Sequence, residues 1–112
     1  MNYEIVTTED FDKNVKPLAK KYLSFLDDLE KFKKKLLANP EMGSTLGGNA
    51  RKVRMTIASK GKGKRGGARV ITCNVLINKI NTDIYLLAIY DKGEQESISI
   101  KEIEILKRRS GL

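Results

Sequence analysis

An α+β fold is predicted, with elements in the order β-α-α-β-β-β-α and a small, mostly antiparallel sheet carrying a helical hairpin on one face. Residues 9–38 hold apolar side chains at helical spacing, in two segments closed by Asn39-Pro40. Residues 51–58, 68–77 and 84–90 read as three strands, separated by a glycine-rich linker and a polar turn. An α-hairpin next to β-hairpins, rather than strands alternating with helices, makes an α+β sandwich.

Asn2–Thr7 (NYEIVT) is β-rich and alternates loosely, so it is read as a short strand. Thr8 is the expected N-cap of the first helix, with Glu9 and Asp10 in the first turn, where acids suit the helix dipole. Phe11, Val15, Leu18, Ala19 and Tyr22 form its apolar stripe, and Pro17 is expected to kink or interrupt it. Ser24 is the expected start of the second helix, with Asp27 as a weak capping box. Phe25, Leu29, Phe32 and Leu36 mark its buried face.

Glu41–Ala50 is read as a loop. In Arg51–Ala58, Val53, Met55 and Ile57 fall on one face, and Lys52, Arg54 and Thr56 on the other. Ala68–Ile77 and Ile84–Tyr90 are continuously apolar, as central strands covered on both faces are. Ser99–Arg109 is a C-terminal helix with Ser99 as N-cap and Glu102 three residues on. The helices are expected on one sheet face, leaving the other for Lys52 and Arg54.

At 112 residues the chain has room for one domain, 1–112, with a modest core. No apolar run approaches the ~20 residues of a membrane span. The opening MNYEIVTTEDFDK lacks the basic and apolar regions of a signal peptide. The single cysteine, Cys73, has no internal partner, which fits a reducing cytoplasm. With no histidine and one cysteine, no metal site and no cofactor is expected, and His-based catalysis is excluded.

The net charge of +8 is carried by one stretch. Arg51–Arg69 holds eight basic residues and no acid, which leaves 14 basic and 14 acidic residues elsewhere. Such a field reads as a surface for phosphate. Lys52 and Arg54, two apart on a strand, share a face, and Arg69 opens the next strand beside them if the two form a hairpin. Lys60, Lys62, Lys64 and Arg65 lie among glycines whose N–H groups can approach an anion. GKGKRGG lacks the spacing of a phosphate-binding P-loop, and no aromatic interleaving of an RNA-recognition sheet is present.

The segment GKGKRGGARVI, followed by a strand and then IYLLAIYDKGEQESIS, resembles the RelE/ParE superfamily of bacterial type II toxins, closest to the RelE- and HigB-like mRNA interferases. The resemblance covers nearly the whole chain: the first strand, the helical hairpin KKYLSFLDDLEKF ending in NP, the basic strand RKVR, and the YDK before the last helix. It implies a RelE-like fold, a cognate antitoxin from a neighbouring gene, and metal-independent cleavage of mRNA on the ribosome. It further implies catalytic roles for Lys52, Arg54, Arg69 and Lys92, and RNA contacts from Lys64 and Arg65. Several RNases of the family use a tyrosine near the last strand; GEQESISIKEIEIL, after Gly93's predecessor Lys92, has none, and Tyr90 is the nearest substitute.

The chemistry so implied is attack of a ribose 2′-OH on the adjacent phosphorus. Arg54 and Arg69 suit the phosphorane charge. Lys52, in a cationic cluster, is expected to titrate low enough to accept the 2′-OH proton. Lys92 is expected to protonate the leaving oxygen or bind phosphate. The ribosome would supply positioning, with lysines of the helical hairpin (Lys13, Lys16, Lys20, Lys21, Lys31, Lys33, Lys34, Lys35) meeting ribosomal RNA. The rival readings are a ParE-like inhibitor of DNA gyrase and a non-catalytic RNA- or antitoxin-binding member of the same fold.

Overall fold

The computed structural model describes residues 1–60 and 66–112. Its elements are β1 (Asn2–Thr7), α1 (Glu9–Lys21), α2 (Phe25–Ala38), β2 (Ser44–Thr45), β3 (Ala50–Met55), a 3-10 turn (Ala58–Lys60), β4 (Ala68–Leu76), β5 (Asn81–Asp91) and α3 (Ile100–Arg109). Among the described residues these give three α-helices and one five-stranded sheet in the order β1-β5-β4-β3-β2. The sheet is antiparallel except where β1 runs parallel to β5, Asn2 beside Asn81 through Thr7 beside Leu86. Two small elements depart from the predicted order. The expected loop after α2 contains the two-residue β2, and the end of the expected strand Arg51–Ala58 turns into the 3-10 segment.

Thr8 caps α1 as expected: its hydroxyl accepts from the Phe11 N–H at 3.2 Å and donates to the Leu86 carbonyl at 2.9 Å, tying the helix start to β5. The interruption expected at Pro17 does not occur, and α1 continues to Lys21. Pro17 is on the exposed side, where water can satisfy the carbonyl that its missing N–H leaves open. Ser24 stands at the start of α2 but makes no side-chain cap. Its hydroxyl instead donates to Asp28 at 2.6 Å and accepts from the Ser59 N–H at 2.8 Å, fastening α2 to the 3-10 turn. Ser99 caps α3 through the Glu102 N–H at 3.1 Å.

The helices do not share one sheet face. α1 and α2 cover one side, where Phe11, Phe25, Leu36, Val53, Val70, Ile84 and Leu86 are fully buried. Each such side chain contributes about 1.5–3 kcal/mol. α3 lies on the other side, docked by Ile103 over Ala50, Ile71, Cys73 and Leu87. It covers only part of that face. No helix among the described residues is long and apolar enough to cross a membrane.

The pairing of β4 with β5 contains one irregularity that decides the site. Ile71 pairs with Ala88 but Thr72 pairs with Leu86, so Leu87 is an extra residue in β5. Ile84 and Leu86 face the helical hairpin. Strict alternation would send Ala88 and Tyr90 there too. The extra residue reverses the parity: Ile89 faces the hairpin, while Ala88 and Tyr90 join the α3 side.

Candidate active site

The half of the sheet that α3 leaves open is formed by the end of β3, the start of β4 and the end of β5. Arg54 stands directly opposite Arg69, and Arg69 opposite Tyr90. Lys52 precedes Arg54 by two on the same face, beside Ser44 of β2. Lys52, Arg54, Arg69 and Lys92 together line an open cleft of about 550 Å³, closed on one side by Met42, Gly43 and Ser44. The four residues expected to be catalytic are thus brought together. Gly43 makes this wall possible: its φ is +93°, and a Cβ there would strike the Lys52 carbonyl and the Val53 side chain.

The electrostatics of the cleft are one-sided. Like charges directly opposite one another on a sheet are destabilising, yet Arg54 faces Arg69 and neither meets a carboxylate within 4 Å among the described residues. Arg69 is only 6 % exposed, and its guanidinium donates to the neighbouring Ala68 carbonyl at 3.2 Å. A guanidinium buried with so little protein compensation is suited to an anion supplied from outside.

One acid does approach the cleft. Glu96, in the loop after β5, bonds the Lys92 ammonium at 2.5 Å. Lys92 holds the Glu96 carboxyl below the usual carboxylate range, and the charges of Lys52 and Arg69 add to this. Glu96 is 88 % exposed, so the pair sits at the rim of the cleft. The signal available was the i, i+4 spacing of opposite charges, which has meaning on a helix but not in a loop.

Tyr90 packs behind Arg69 on the same face. Its hydroxyl is shut off from solvent and has no hydrogen-bond partner among the described residues. Burial pushes the phenol above its ordinary pKa, against the opposing pull of Arg69. It is therefore a neutral hydroxyl that does not open onto the cleft, and the part of a substitute catalytic tyrosine does not suit it. Tyr90→Phe should keep the wild-type rate of any RNA cleavage within about threefold. Because no hydrogen bond is lost, thermal unfolding should show stability unchanged or raised by up to about 1 kcal/mol.

Lys60 is placed away from the cluster. Its ammonium meets the buried Asp91 carboxylate at 2.6 Å, binds the Gly66 carbonyl, and lies 5.9 Å from the centre of the Tyr22 ring. The Tyr22 hydroxyl and the Gly93 N–H donate to the same carboxylate. Lys60 thus joins α1, the 3-10 turn and the end of β5 instead of reaching outward. Lys62, Lys64 and Arg65 lie outside the described residues. Among the described residues no three acidic or thiol side chains gather as a metal site would need.

No protein-family model matches the sequence. What the cleft can do chemically follows from its charges. It can hold an anion with at least two oxygens between the planar forks of Arg54 and Arg69, with two ammonium groups alongside.

Proposed function

We propose that this protein is a toxin of the RelE/ParE superfamily that cleaves mRNA on the ribosome, without a metal, and is held in check by a cognate antitoxin in the cytoplasm. The observation that carries the reading is the convergence of Lys52, Arg54, Arg69 and Lys92 on one cleft without a carboxylate between the two arginines. The motifs GKGKRGGARVI and YDK and the basic strand RKVR support it by resemblance.

In the proposed reaction the ribose 2′-oxygen forms a bond to phosphorus, giving a phosphorane with an added negative charge. Arg54 and Arg69 stabilise that charge through paired N–H donors. Lys52 takes the 2′-OH proton. The bond to the 5′-oxygen breaks, and Lys92 gives that oxygen a proton. The products are a 2′,3′-cyclic phosphate and a free 5′-hydroxyl. Preorganised cations act without further rearrangement, and fixing the strand in line on the ribosome is worth ~7–11 kcal/mol.

The test is to add purified protein to translating ribosomes and map new mRNA 5′ ends. Cleavage at a fixed position within codons, insensitive to EDTA at levels that spare the ribosome, is the expected result. Intact mRNA together with inhibition of gyrase supercoiling would replace this reading with the ParE-like one. Intact mRNA and unaffected gyrase would leave a binding member of the fold.

A further inference from the structure

The catalytic cleft does not end at Arg54. A second cleft of about 550 Å³ adjoins it, and Met42 and Arg54 line both. Its far wall is α2, which contributes Lys31, Phe32 and Lys35. Lys31 and Lys35 are one helical turn apart and exposed, and among the described residues neither lies within 4 Å of a carboxylate. Like charges at this spacing cost a helix a few tenths of a kcal/mol. The neighbouring Lys33, by contrast, is paired with Glu30.

Among the described residues, the one acid lining the second cleft is already engaged. Asp28 is buried and accepts from the Ser24 hydroxyl at 2.6 Å and the Ala58 N–H at 3.0 Å. Cations therefore run from Lys92 and Arg69 through Arg54 to Lys31 and Lys35, with the half-buried Met42 where the two clefts meet. A row of cations along one groove matches an extended strand with successive phosphates better than a lone phosphate.

We propose that Lys31 and Lys35 form a second subsite for the same single RNA strand, holding phosphates next to the one bound at Arg54 and Arg69. This rests on the proposed nuclease reading and divides the helical-hairpin lysines. Lys31 and Lys35 hold the substrate strand, whereas Lys16 and Lys20 on α1 have no part in the groove.

The test is binding of fluorescein-labelled 2′-O-methyl RNA, which lacks the attacking hydroxyl, by anisotropy at several salt concentrations. The probes are a mixed-sequence hexamer and a dinucleotide. The Lys31→Ala/Lys35→Ala variant should bind the hexamer about tenfold more weakly than wild type and flatten the slope of log K against log salt by about 1.4. Its dinucleotide binding should be unchanged. The Lys16→Ala/Lys20→Ala variant removes the same charge and should leave both probes unaffected. Wild-type hexamer affinity and slope in Lys31→Ala/Lys35→Ala, or an equal loss in Lys16→Ala/Lys20→Ala, would overturn the second subsite. If Arg69→Ala still weakens both probes in that case, the first cleft stands. If Arg69→Ala also has no effect, the nuclease reading fails with it.

Discussion

Arg69→Ala should lower the rate of mRNA cleavage by a hundredfold or more while the protein still folds. Under the proposed reaction the size follows from removing a preorganised donor pair aimed at the phosphorane charge, worth ~10²–10³ in rate. Arg69 is the most deeply set cation of the cleft, held between Arg54 on β3 and Tyr90 on β5. Its loss also relieves the repulsion with Arg54, which offsets part of the packing lost with its aliphatic stem. Arg69→Lys keeps the charge but not the fork, and should recover only part of the rate. Single-turnover cleavage on programmed ribosomes, with thermal unfolding as the control for folding, makes the measurement. A rate within threefold of wild type in a folded Arg69→Ala protein would remove Arg69 from the reaction.

Asp91→Asn should be the most damaging single change to stability. The carboxylate is almost fully buried and receives Lys60, Tyr22 and the Gly93 N–H, with Lys21 at 3.7 Å. Removing one partner of a buried charge pair costs ~3–5 kcal/mol, because the other charge stays buried. The melting temperature should fall by on the order of 10 °C. Burial by itself would raise the Asp91 carboxyl, but the hydrogen bonds from Lys60, Tyr22 and Gly93 outweigh it and hold the group at about 2, against 3.8 unperturbed. The folded protein thus binds this proton less readily than the unfolded chain. The stabilisation is complete above about pH 4 and is lost as pH falls from there through 2. Wild type should lose on the order of 1–2 kcal/mol from this group over that range, and Asp91→Asn should lack that component. Equal melting temperatures for the two proteins at pH 7 would show the network to be dispensable.

The parts of the site that depend on local periodicity could be read in advance. Lys52 and Arg54 share a face because they are two apart on a strand, and Arg69 meets them because a hairpin brings the start of β4 to the end of β3. Longer-range facts had no such signal. Nothing in NYEIVT indicates that β1 lies parallel to β5, since that pairing is fixed by where the helical hairpin returns the chain. The turn inward of Lys60 depends on Asp91 and Tyr22, remote in sequence and unremarkable alone. The placement of α3 opposite the other helices rests on Ile103 meeting Ile71, Cys73 and Leu87, whose two-sided apolarity announced burial but not by which helix.

The extra residue in β5 also acts as electrical insulation. Asp91 follows Tyr90 directly and pairs with Ala68, one position before Arg69. With regular alternation it is Asp91, not Tyr90, that would share the open face with Lys52, Arg54 and Arg69, and the cleft would carry its own counter-ion. Leu87 sends the carboxylate through the sheet to Lys60 instead. Because Leu87 is taken up as a bulge instead of continuing the alternation, the arginines lack a carboxylate across the ladder and the opposite face receives the charge that fastens it.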